Sequence, residues 1–197
     1  MSVSVDKKRR LILAASCLSG FMAGVGSAGA AYAQNAAQRR VLTLYFTWSG
    51  SSEAVAREVH RILGGDIERI EALDSYPRQY EETTVRAKAE RLAKARPAVK
   101  PLVHNPADYD VIVIGHPIWG GQMPMPVYTC LEKLRLENKV LLHFDTHGGS
   151  GLGNSQRELT RLFPRCVIKE GLALYGWGGV RDIGAVAEWL TRTGMTA

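Results

Sequence analysis

Cysteine is scarce in this chain. There are three in 197 residues, and no Cys-x-x-Cys or His/Cys spacing of the kind that holds a metal, so no metal site is expected. No Gly-x-Gly-x-x-Gly follows the first predicted strand, which disfavours a bound dinucleotide. A Gly-x-Ser-x-Gly nucleophile elbow is missing too, because Gly149-Ser150-Gly151 lacks the strand-to-helix setting. Internal repeats and low-complexity tracts do not occur beyond the first 33 residues. Cationic excess is smaller than the formal net charge of +6 implies, since half of it comes from four basic residues and Asp6 in the leader. The remaining Lys and Arg are scattered, notably over 86–100, which reads as a solvated surface segment. Nucleic-acid binding is therefore not expected.

Residues 1–33 read as a secretory signal peptide. Lys7, Lys8, Arg9 and Arg10 form a basic start, an apolar small-residue stretch runs from Leu11 to about Ala28, and Ala31-Tyr32-Ala33 supplies an Ala-x-Ala cleavage site. The stretch is rich in Gly and Ser and would make a poor permanent span, so no stable membrane span is expected after cleavage. Arg9-Arg10 ahead of Leu11-Ile12-Leu13 partly matches a twin-arginine signal. An exported protein follows, periplasmic or extracellular, with one domain over 34–197. That length suffices for a substantial core. Two cysteines, Cys130 and Cys166, stay with it, and free thiols are the expected state.

Past residue 40 the pattern alternates strand and helix. Strands are expected at Val41–Thr47, Asp66–Glu71, Val111–Gly115, Val140–Asp145 and within Cys166–Leu174. Helices are expected at Ser52–Leu63, Glu82–Ala95, Met125–Leu134, Ser155–Leu162 and Arg181–Thr193. Val111 to Gly115 is an unbroken apolar run, as in a parallel strand covered on both faces. This cadence predicts an α/β fold: a single doubly wound, five-stranded parallel sheet of order 2-1-3-4-5 with helices on both faces. In such a sheet, ligands lie at the carboxyl ends of the strands near the switch point, so the loops after strands one, three and four should converge.

Those three loops are chemically unusual. The first, Thr47-Trp48-Ser49-Gly50-Ser51-Ser52, offers hydroxyls and backbone N–H groups at a helix N-terminus, an arrangement that solvates a phosphate without a cationic side chain. The second, Gly115 to Pro124, carries Pro117, Ile118, Trp119 and Gly120, where Trp119 supplies a flat face for a planar ligand. The alternative role for Trp119 is a core tryptophan. The third, Phe144 to Gly153, holds Asp145, Thr146, His147, Gly148, Gly149 and Gly151 and reads as a loop with available N–H groups. His147 is a candidate proton donor or a structural histidine, and Asp145 either orients it or caps the loop.

The first loop fits Thr/Ser-x-Thr/Ser-Gly-x-Thr/Ser at every fixed position, and with the other two it resembles the flavodoxin family. The resemblance runs from about Val41 to Leu190. It implies FMN as cofactor, with the phosphate at Thr47 to Ser52, the ring against Pro117 to Gly120, and the pyrimidine edge against Thr146, His147, Gly148, Gly149 and Gly151. It also implies electron transfer to a redox partner protein or a small-molecule acceptor. Flavodoxins that dock to basic reductases are usually acidic, so this mildly basic chain inherits no docking partner. Two other functions fit the same site: an NAD(P)H-dependent FMN quinone reductase, with Leu73–Pro106 covering a substrate pocket, and a non-redox binding protein. Scarce NADPH outside the cytoplasm weighs against the former, and intact loops against the latter.

Overall fold

The structure is a computed structural model that describes residues 39–196; the signal peptide expected over 1–33 lies outside them. Strands β1 (Val41–Tyr45), β2 (Asp66–Arg69), β3 (Val111–Pro117), β4 (Val140–His147), β5 (Val167–Ile168) and β6 (Leu172–Tyr175) alternate with helices α1 (Ser51–Leu63), α2 (Tyr80–Leu92), α3 (Met125–Leu131), α4 (Ser155–Leu162) and α5 (Ala185–Arg192). All ladders between these strands are parallel, in the order β2-β1-β3-β4-β5, with β6 also on β4.

A strand's period of two sorts its apolar residues onto opposite faces. Leu42, Leu44, Ile112, Ile114 and Leu141 pack under α3 and α4 with Val127, Leu131 and Leu159. Val41, Tyr45, Val113, Leu142 and Phe144 pack under α1 and α5 with Val55, Val59, Trp189 and Leu190. Burial on both faces explains why β1 and β3 read as continuous apolar runs. Helix α1 ends in Gly64-Gly65, both at positive φ. A Cβ on Gly65 would stand 2.2 Å from the Val41 carbonyl oxygen, so the return into β2 requires glycine there.

Three expectations need correction. The strand-five region is two strands on one edge: β5 pairs Val140–Leu141 and β6 pairs Phe144–His147. The break falls opposite His143, whose ring fills the space where a Gly171 side chain would lie. Strands β3 and β4 run past their apolar stretches, to Pro117 and His147, because the ladder continues through His116↔Asp145 and Pro117↔Thr146 and Ile118 N–H then donates to the Thr146 carbonyl at 2.8 Å. Strand four keeps Asp145, as expected, and extends through Thr146 and His147, which are strand rather than loop. Helix α2 begins two residues before the expected Glu82 and stops at Leu92, and α5 starts only at Ala185.

Cys130 is buried in α3 and Cys166 half-buried before β5, and both are free. Burial pushes the Cys130 thiol up to about 12. No helix among the described residues is long and apolar enough to cross a membrane.

Candidate functional site

The carboxyl ends of β1, β3, β4 and β6 surround a cleft of about 400 Å3. Each of the three predicted loops lines it: Trp48, Ser49 and Ser51 from the first, Pro117, Ile118 and Trp119 from the second, Thr146, His147 and Gly148 from the third. A fourth loop, Gly176-Trp177-Gly178 after β6, and Tyr80 at the start of α2 complete the wall. Gly120 lines an adjoining cavity, and Gly149 and Gly151 follow farther along the third loop without lining the cleft.

The first loop is shaped by Gly50, which precedes α1 in the left-handed region at φ 93°. Its N–H donates to Thr47 Oγ1 at 3.0 Å, and helical bonding starts with Ala54 N–H to the Gly50 carbonyl. No side chain caps the helix, so the first-turn N–H groups of Ser51 to Glu53 face the loop without a helical partner. Hydroxyls are divided between cleft and interior. Ser49 and Ser51 line the cleft 3.3 Å apart, and Ser51 donates to the Gly176 carbonyl at 2.8 Å. Ser52 is buried and shares a 2.7 Å bond with Thr146 Oγ1. Thr47 is buried too and borders a second hollow of similar volume beyond Trp48, beside Arg69, Tyr76 and Arg78.

Trp119 both packs against the core and lines the cleft. Phe46 and Tyr76 meet its ring edge-to-face at centroid distances of 5.6 and 5.0 Å, and its free side lines the cleft. Opposite, Tyr80 and Trp177 stack edge-to-face at 5.0 Å, and Trp48 lies 6.2 Å from Tyr80. Trp48 is fixed by its indole N–H, which donates to the Pro77 carbonyl at 2.7 Å. Trp177 was not anticipated, although it is flanked by glycines at a strand end as Trp119 is.

His147 Nδ1 accepts the Gly149 N–H at 2.9 Å, which places the proton of the neutral ring on Nε2. Asp145 does not orient it. That carboxylate is completely buried between two histidines, 3.1 Å from His116 Nε2 and 3.5 Å from His143 Nδ1. His143 Nε2 meets the Gln156 side-chain oxygen at 2.8 Å. Burial holds His116 below the ordinary imidazole value. It also acts against His143, but Asp145 and Gln156 outweigh it and the His143 pKa is raised. Among the described residues no cluster has a metal-binding arrangement.

A parallel doubly wound sheet, with an uncapped helix N-terminus and an aromatic-walled cleft at its switch point, defines an α/β protein built to hold a phosphate-bearing planar ligand. The chain belongs to the flavodoxin family, whose model matches residues 40–192. Among solved structures, it is similar to a Bacteroides eggerthii protein taken to be a flavoprotein. Their identity is 31%, with a TM-score of 0.69 over 79% of this chain and 98% of that one. A Bacteroides uniformis counterpart gives 27%, 0.67, 78% and 98%. A flavoprotein from Lactobacillus acidophilus in complex with FMN gives 20%, 0.59, 77% and 98%, a likeness that speaks for the fold. No curated protein matches the chain.

Proposed function

We propose that the protein binds FMN in this cleft and serves electron transfer outside the cytoplasm. One observation carries the reading: an uncapped helix N-terminus, with Ser49 and Ser51 beside it, opens into a cleft walled by Trp119, Tyr80 and Trp177. The first-turn N–H groups and the two hydroxyls fit a phosphate dianion, which the helix dipole favours. The aromatic walls fit an isoalloxazine ring. FMN complexation by the Lactobacillus acidophilus flavoprotein supports the same ligand class here.

Bound FMN would supply the electron-accepting chemistry, and the chain would supply binding and electrostatics. To bond a phosphate oxygen, Ser51 must release the Gly176 carbonyl, and that exchange couples phosphate binding to the Trp177 loop. Tyr80 and Trp177 offer exposed aromatic surface at the cleft for a ring to cover. His147, with its proton on Nε2, is the imidazole on the lining of the third loop. Export rests on the leader: the basic start, the apolar stretch and Ala31-Tyr32-Ala33. Recovery of the intact, uncleaved chain from the cytoplasm would refute it.

The decisive experiment compares FMN with riboflavin, which lacks the phosphate. A hydrogen bond to a charged group contributes about 1.5–3 kcal/mol, so Ser49→Ala or Ser51→Ala is expected to weaken FMN about 10- to 150-fold and leave riboflavin nearly unchanged. Equal losses for both ligands, or a wild-type protein that takes up no FMN, would overturn the assignment.

A further inference from the structure

Helix α2 gives Tyr80 to the cleft wall yet buries only Thr83. It contributes no side chain to either core cluster, and Val85 and Leu92 are exposed. Polar contacts hold it instead: Thr83 Oγ1 donates to the Pro77 carbonyl at 2.7 Å, and Arg86 pairs with Glu90 and Asp74. The excursion that carries α2 leaves and rejoins the sheet edge at a single bridge, Ala72 with Val99. An element so short of buried apolar contact opens at lower free energy than the sheet beneath it.

Under α2 lies a cavity of about 230 Å3. Trp48 and Trp119 line it from the sheet side and Tyr80 from α2, and all three are shared with the cleft, so the two spaces adjoin. Lys88 and Arg91 line it farther along α2. Neither makes an ion pair among the described residues, whereas Arg86 on the same helix pairs with Asp74 and Glu90 and also donates to the Asp74 and Ser75 carbonyls. Arg91 lies across Gly120, where a Cβ would stand 2.9 Å from its Nε; glycine there leaves room for the guanidinium at the cavity. Unpaired cations on a helix are usually a solvated face. Here they line one open-sided hollow together with three aromatic rings, Tyr80 from their own helix and Trp48 and Trp119 from the sheet side. Aromatic faces hold a planar ring, and ammonium and guanidinium groups hold an anionic substituent. The volume is below the roughly 300–1,000 Å3 of drug-sized sites, which limits the ligand to one or two rings.

We propose that this cavity binds a small planar aromatic anion, a one- or two-ring carboxylate or sulfonate, beside the flavin cleft. The assignment deepens the flavin reading, since such a ring would abut the cleft, but its binding is measurable without FMN. The full chain is titrated with 2-naphthalenesulfonate and with neutral 2-naphthalenemethanol, followed by calorimetry and tryptophan fluorescence, in the presence and absence of saturating FMN. The sulfonate is expected to bind at least about tenfold more tightly, as for one charge-assisted contact. Lys88→Gln with Arg91→Gln should erase that preference and leave FMN affinity within about twofold, by the same reasoning. Ala87→Phe, which fills the cavity, should abolish binding of both probes. Equal affinity of the wild type for the two probes, undiminished sulfonate binding in the double variant, or displacement of the sulfonate by FMN would each overturn the proposal. A protein that takes up no FMN would sink the flavin reading alone, provided its sulfonate preference still disappears in the double variant.

Discussion

Asp145→Asn is the perturbation that the structure loads most heavily. The ladder sets His116 directly across from Asp145, and the strand period places His143 on the same face two residues earlier. All three side chains are fully buried. The carboxylate oxygens lie 3.1 and 3.5 Å from ring nitrogens, yet none of these atoms meets its partner in hydrogen-bond alignment. The cluster is therefore held by charge more than by directed bonds. Removing one member of a buried ionic pair typically costs about 3–5 kcal/mol. For a domain of this size that lowers Tm by roughly 6–20 °C.

The pH dependence gives the test its sign. Burial lowers both imidazoles and Asp145 raises both; the net is a raised His143 and a lowered His116. His143 contributes stability that is complete below the ordinary value near ~6.5 and fades as pH rises through its folded value. His116 does the reverse, costing stability as pH falls. Asparagine keeps the shape but withdraws the charge that favours both protonated rings. The gap between wild type and variant should thus widen from pH 8.5 to pH 5.5. Thermal unfolding by circular dichroism at the two pH values measures it. A Tm within about 2 °C of wild type at both, less than the 1 kcal/mol such a shift represents, or a gap that widens toward alkaline pH, would refute the ionic account.

Two further substitutions test the walls around this cluster and the cleft. Gly171→Ala places a Cβ 2.2 Å from His143 Cε1, and the buried ring has little room to yield. Overpacking of this kind costs about 1–3 kcal/mol, and a urea midpoint equal to wild type would show that the β5–β6 break does not depend on glycine. Trp119→Ala removes the edge-to-face partner of Phe46 and Tyr76 together with a cleft wall, so FMN should bind more weakly and its potential should shift. Unchanged affinity with an unchanged visible spectrum would sink the wall assignment.

What could be read in the sequence depended on whether a segment's composition matched its burial. The strand order and the first two loops were legible because apolar runs end abruptly in Gly, Ser, Thr and Pro at the points where strands give way to the cleft. The third loop misled past Asp145, since Thr146 and His147 have a loop's composition. They continue β4 because Asp145 has His116 and His143 for neighbours and Thr146 has Ser52, so each polar group is accommodated within the sheet. Residues 86–100 are mostly solvated surface, as their composition implies, and Arg86 is where that reading falls short. A run of Arg and Lys reads as solvated surface, yet Arg86 is mostly buried over the Tyr76 ring, 4.1 Å from its centroid, and paired with Glu90. No local pattern reveals such a partner, because Tyr76 lies ten residues upstream of Arg86 and outside the helix. Trp177 is different, for its signal was present: Gly176-Trp177-Gly178-Gly179 repeats the glycine-flanked tryptophan that marked Trp119. At the switch point a glycine-flanked aromatic after any strand of the sheet is a candidate wall, because glycine lets the backbone turn tightly while the aromatic side chain covers the opening. By that rule β6, though short and on the edge, carries as much of the cleft as the central strands do.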